Sequence, residues 1–221
     1  MKNFFLSKQK ITEKHVAKIR HDWGLSDAKR DETKKTPENI QRFDNILYGE
    51  DKTWQILDVY KPKSAEVKLP VIVNVHGGGW VYGTKEVYQF YCMSLAQMGF
   101  AVVNFNYRLA PENKFPSSVE DTNSVFNWIE KNQNEYGFDC NNVFAVGDSA
   151  GANLLALYAA ILTNTELKKK YNFELPSEIN LKAVALNCGK YTVRNFDILR
   201  KALFDKKTKY KLSDIDITSK I

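Results

Sequence analysis

The 221-residue sequence predicts an α/β layer fold with a mostly parallel sheet, and three observations carry that expectation. Four short runs rich in Val, Ile, Leu and Ala, at 71–75, 101–105, 143–146 and 181–186, have the texture of strands buried on both faces of a parallel sheet. Helix-like stretches at 86–98, 118–135 and 150–163 lie between them, giving the strand–helix alternation of an α/β fold. Glycine-rich turns, HGGGW at 76–80 and GDSAG at 147–151, follow two of the four runs directly.

Taken in order, residues 1–39 are polar and helix-prone, with only a loose apolar stripe of Ile11, Val16, Ile19 and Trp23. They read as a helical cap or arm, and residues 40–221 as the core domain. Segments 41–48 and 53–60 alternate as an antiparallel pair closed by Pro62. The buried runs and helices follow as above. No strand-like run follows Leu186, so the sheet is expected to lack its last strands and the run 181–186 to form an edge. Lys182 and Asn187 are the polar breaks of that edge, and its unpaired backbone invites self-association with another copy.

Composition excludes several classes. With 43% hydrophobic and 13% aromatic residues the chain has enough apolar material for a core. Its mean hydropathy of −0.43 and the absence of any run of about 18 apolar residues exclude a membrane span. The N-terminus carries only Phe4, Phe5 and Leu6 as an apolar run, too short for a secretory core, which places the protein in the cytoplasm. Three cysteines, Cys92, Cys140 and Cys188, form no C-x-x-C pair and read as reduced packing residues, with no metal site and no cofactor. The +6 net charge lies entirely in residues 161–221, in runs such as Lys168, Lys169 and Lys170 or Lys206, Lys207, Lys209 and Lys211. Without interleaved glycines or a stacking motif these read as a solvated face, not as a nucleic-acid patch.

The chemistry sits at two strand ends. In His76-Gly77-Gly78-Gly79-Trp80 three successive glycines remove every Cβ from a turn, so backbone N–H groups can approach a ligand atom, as an oxyanion hole requires. A phosphate-binding loop is the rival: the spacing fails G-x-G-x-x-G, and Gly83-Thr84-Lys85 has Thr and Lys in the wrong order for a Walker loop. Gly147-Asp148-Ser149-Ala150-Gly151 lies between a strand and a helix, the context of a nucleophile elbow. There the helix start would supply the Ala150 N–H to a developing oxyanion.

With these motifs the sequence resembles the hormone-sensitive-lipase branch of the α/β-hydrolases, bacterial esterases among them. The resemblance runs from about Tyr48 to Cys188 and includes Leu57-Asp58-Val59-Tyr60 and the segment Tyr107-Arg108-Leu109-Ala110-Pro111-Glu112 followed by Phe115-Pro116. It implies an α/β-hydrolase fold, Ser149 as nucleophile, the N–H groups of Gly78, Gly79 and Ala150 as the oxyanion hole, and His76 as a support of the glycine loop. The N-terminal part would correspond to the family's cap. The activity implied is carboxylic-ester hydrolysis of a small-molecule ester.

The family's triad runs Ser, acid, His along the chain, whereas His15, His21 and His76 all precede Ser149. The carboxylates after it are Glu166, Glu174, Glu178, Asp197, Asp205, Asp214 and Asp216, with no further strand-like run to carry one of them. The expectation is therefore a C-terminally truncated esterase of impaired activity, or a catalytically silent binding or interaction module. His76 reads as loop support, since it precedes the oxyanion donors and belongs on the electrophile's side of the carbonyl. His15 and His21 read as solvated. Asp148 reads as a capping or loop hydrogen-bonding residue, Arg108 and Glu112 as substrate contacts or organisers of their loop, and Trp80 and Tyr82 as lining the acyl pocket or packing.

Overall fold

The computed structural model describes residues 2–191, 203–204 and 208–216. Its elements are α1 (Lys2–Asp31), β1 (Ile40–Leu47), β2 (Ile56–Pro62), β3 (Leu69–Val75), α2 (Lys85–Gln97), β4 (Ala101–Phe105), α3 (Ser117–Lys131), α4 (Gln133–Tyr136), β5 (Phe138–Asp148), α5 (Ala150–Thr163), α6 (Thr165–Lys168), β6 (Leu181–Asn187) and α7 (Leu212–Ile215). Of the residues singled out above, Asp197, Asp205, Lys206 and Lys207 lie outside the described ones.

One six-stranded sheet has the order β1-β2-β4-β3-β5-β6. β1 and β2 pair antiparallel, as their alternation predicts, and β2 joins β4 antiparallel. β4, β3, β5 and β6 run parallel. β4 is buried at every residue, and β3 from Val71 to Val75, which is why both read as continuous apolar runs. On one face α2 places Cys92, Met93 and Ala96 against Tyr60, Ile72 and Val102. On the other, α3 and α5 contribute Val125, Phe126, Leu154 and Leu157 to the main core. This two-sided cover holds the carboxyl ends of β3 and β5, where the two glycine motifs begin, in fixed relation.

Four details differ from the expected elements. The helix read at 118–135 breaks at Asn132, whose side-chain N–H donates to the Trp128 carbonyl at 2.7 Å, a local bond that competes with helix continuation. β5 begins earlier than the apolar run, at Phe138, and absorbs the turn of Asp139, Asn141 and Asn142 through a register shift between Pro70 and Val71. The N-terminal stretch does more than flank the core, since Val16 of α1 is buried in the main cluster. Cys92 and Cys140 pack as expected, but Cys188 is exposed, in the bend after β6 at a φ of 48°.

Among the described residues β6 is paired only to β5. Its Ala183 and Ala185 are exposed, while Val184 and Leu186 are half-buried. Among the described residues α2 packs over β2 and β4, and the same face of β5 and β6 carries an apolar groove of about 320 Å³ lined by residues including Tyr91, Leu95, Phe144, Val146 and Ala185.

Candidate active site

β5 delivers its chain to Ser149, which takes φ 52° and ψ −110° before α5 starts at Ala150. A positive φ on a non-glycine residue is a strained conformation that surrounding structure must impose. Here the imposing contacts are the Ser149 N–H donating to the Asn187 carbonyl at 2.8 Å and the close approach of α5 to β3. A Cβ at Gly151 would overlap the carbonyl oxygens of Val75 and His76, so only glycine lets the helix sit there. The turn leaves Ser149 exposed and Ala150 buried beneath it, at a helix start whose first N–H groups have no intrahelical partner. One turn on, the buried Asn153 donates to the carbonyls of Lys190 at 2.8 Å and Ile215 at 2.9 Å, tying the later chain to the helix behind Ser149.

The second motif turns tightly after β3. The N–H groups of Val81 and Tyr82 both donate to the Gly78 carbonyl, at 3.2 and 2.9 Å. Gly78 itself has φ 123°, and a Cβ there would overlap the Tyr82 carbonyl oxygen, so the turn requires glycine. His76 holds the base of this loop. Its ring is fully buried and stacked on Tyr107 at 4.1 Å, and the Tyr107 hydroxyl donates to the His76 carbonyl at 3.0 Å. His76 Nδ1 is 2.7 Å from the Gly77 carbonyl, and because a carbonyl only accepts, Nδ1 carries the proton. Burial lowers the imidazole pKa to about 4 against the opposing pull of the Gly77 carbonyl and Glu86. A neutral, buried ring with Nδ1 committed to its own loop is a weak general base near neutral pH.

The two motifs meet. A Cβ on Gly77 would stand 2.9 Å from the Asp148 carbonyl oxygen and 3.1 Å from the Tyr88 hydroxyl. Asp148 does not cap α5. Instead Oδ2 accepts the Tyr88 hydroxyl at 2.8 Å, and the Tyr88 hydroxyl oxygen in turn accepts the Gly77 N–H at 3.3 Å. Trp80 is buried in the main cluster, its carbonyl accepting the Ala110 N–H. Tyr82 is half-buried, donates to Asp27 at 2.5 Å and meets Trp23 edge-on.

Arg108 and Glu112 are both committed to protein partners. Arg108 pairs with Asp121 at 2.8 Å and with Glu120, while Glu112 is held by Arg20 of α1 through two 2.8 Å bonds. Arg20 also donates to the Val81 carbonyl at 2.8 Å and the Ala110 carbonyl at 3.1 Å, and Arg30 to the Val87 carbonyl. α1 is thus bolted to the glycine loop. The contributions of Arg20, Asp27 and Tyr88 have no local sequence signal, since each depends on a partner more than 50 positions away. His15 and His21 lie exposed on α1. Among the described residues no group of three His, Cys, Asp or Glu side chains is placed to hold a metal, and no helix is long and apolar enough to cross a membrane.

Residues 57–217 match the BD-FAE family. The esterase LipC of Mycobacterium tuberculosis is 34% identical over 150 residues, 66% of this chain and 36% of LipC. The carboxylesterase NlhH of the same organism is 34% identical over 132 residues, 58% of this chain and 41% of its own. The crystal structure of Esterase B from Lactobacillus rhamnosis superposes with a TM-score of 0.73 at 29% identity, covering 81% of this chain and 58% of Esterase B. The chain therefore spans well under half the length of these two curated relatives.

Proposed function

The chain belongs to the BD-FAE family and has an α/β-hydrolase fold, and we propose that its site is the acyl-transfer site of a carboxylic-ester hydrolase acting on small-molecule esters. The observation that carries this reading is the exposed Ser149 at φ 52°, set between β5 and α5 beside the glycine turn that follows β3. Ser149 Oγ attacks the ester carbonyl, giving up its proton. The tetrahedral oxyanion is held by the N–H groups of Gly78, Gly79 and Ala150, in a hole aimed at charge that develops only in the transition state. The anion collapses as the alcohol leaves with a proton, and water then releases the acid from Ser149.

For proton removal from Ser149 the described residues supply no evident base. All three histidines precede Ser149, and His76 is buried and neutral. The chain so constituted is a slow hydrolase, with a silent binding module as the second reading that the same observation favours. Incubation with a fluorophosphonate followed by peptide mass spectrometry separates them. Slow phosphonylation on Ser149, absent in Ser149→Ala, is expected, and a label elsewhere or none at all overturns the hydrolase reading.

We also propose that the β6 edge pairs with β6 of a second copy. Among the described residues its outer edge has no strand partner and lies beside the apolar groove, and unprotected apolar edges template strand addition. Light scattering on a size-exclusion column should give at least twice the 25.4 kDa chain mass, and a clean monomer overturns the pairing.

A further inference from the structure

The nucleophile and its hole belong to different strand ends, and their relative placement is what acyl transfer is most sensitive to, since an error of about 1 Å can cost ~10²-fold in rate. One side chain touches both ends. The Tyr88 hydroxyl donates to Asp148, the residue before Ser149, at 2.8 Å, and accepts the N–H of Gly77, the residue before Gly78, at 3.3 Å. Burial and the Asp148 carboxylate both raise the phenol pKa, so the hydroxyl remains a donor throughout the physiological range.

Tyr88 is itself well founded. One turn earlier on α2, Lys85 is 2% exposed and its Nζ pairs with Asp58 of β2 at 2.9 Å. The Lys85 N–H donates to Asn106 Oδ1 at 2.6 Å, and its carbonyl accepts from Asn104 Nδ2, which belongs to a chain of amides reaching Asn74 of β3. The first turn of α2 is therefore fixed to β2, β3 and β4, and it carries the phenol to a set height above the two motifs.

We propose that Tyr88 is a positioning residue that sets the distance between Ser149 and the N–H groups of Gly78 and Gly79, an inference that rests on the acyl-transfer reading of the site. It acts through Asp148 on one side and Gly77 on the other and does not touch the substrate.

The test follows the rate of Ser149 labelling by a fluorophosphonate, hydrogen exchange of the Gly77 amide, and the melting temperature. Tyr88→Phe should slow labelling roughly 10-fold and speed Gly77 exchange, with a melting temperature within a few degrees of the parent. Asp148→Asn, which keeps an oxygen acceptor for the hydroxyl, should lose less than Asp148→Ala. The double variant Tyr88→Phe/Asp148→Ala should be no slower than the slower single variant, because both remove the same bridge. Unchanged labelling and exchange in Tyr88→Phe, or losses that multiply in the double variant, overturn the proposal. If the parent chain does not label at Ser149, the acyl-transfer reading fails. The bridge is then judged on Gly77 exchange alone, unchanged exchange overturning it.

Discussion

Replacing Asp58 with Ala should destabilise the protein by about 3 kcal/mol, because it strips a buried ammonium of its buried partner. The Lys85 and Asp58 side chains are 3% and 2% exposed, and Asp58 also accepts the Tyr60 hydroxyl at 2.7 Å and the Asn45 N–H at 2.8 Å. Burial alone would lower the Lys85 pKa, but the carboxylates of Glu86 and Asp58 outweigh it and hold the amine above its ordinary value. Truncating one partner of a buried pair usually costs about 3–5 kcal/mol. Glu86, 2.6 Å from Lys85 Nζ and half exposed, remains in the variant and keeps the cost near the lower limit. In a chain of this length that corresponds to a fall in melting temperature of roughly 6–12 °C, read by circular dichroism. A variant that melts with the parent would mean that Glu86 satisfies Lys85 without help. It would also loosen the foundation argued for Tyr88.

That pair shows where sequence reading stops. Leu57-Asp58-Val59-Tyr60 is recognisable as a motif, and Lys85 stands out beside Gly83 and Thr84, but only as a failed phosphate-loop lysine. Nothing local says that they meet, because 27 positions and a strand pairing separate them. Residues 101–105 are the opposite case. A run of apolar residues ending at turn signals is a local property, and the observed β4 covers the same five residues. The elbow was legible for the same reason, since strand, Gly-Asp-Ser-Ala-Gly and helix are contiguous; the contacts that fix it, the Asn187 carbonyl on the Ser149 N–H and the Val75 and His76 carbonyls that forbid a Cβ at Gly151, are long-range and left no local signal. The docking of α1 was not legible. Its apolar stripe is weak because much of the contact is polar, through Arg20 to the carbonyls of Val81 and Ala110 and through Asp27 to Tyr82, and periodicity cannot register such bonds. The break at Asn132 lay between the two, since an asparagine inside a helical stretch is a recognised competitor for backbone groups, but only its bond to Trp128 shows that it wins.

Ser149 and its oxyanion hole are proposed to be assembled while the described residues supply no evident base, and hydrolysis of p-nitrophenyl acetate tests this proposal. Enzymes with a complete catalytic set commonly turn over at ~1–10³ per second. Without a triad histidine, only the ~10³–10⁴-fold acceleration over water contributed by the hole and by binding is expected to remain. A turnover far below about one per second is expected, with the residual rate removed by Ser149→Ala and left in place by His15→Ala and His21→Ala. A turnover above about one per second that disappears in Ser149→Ala would contradict it, because a competent base would then have to exist within the chain.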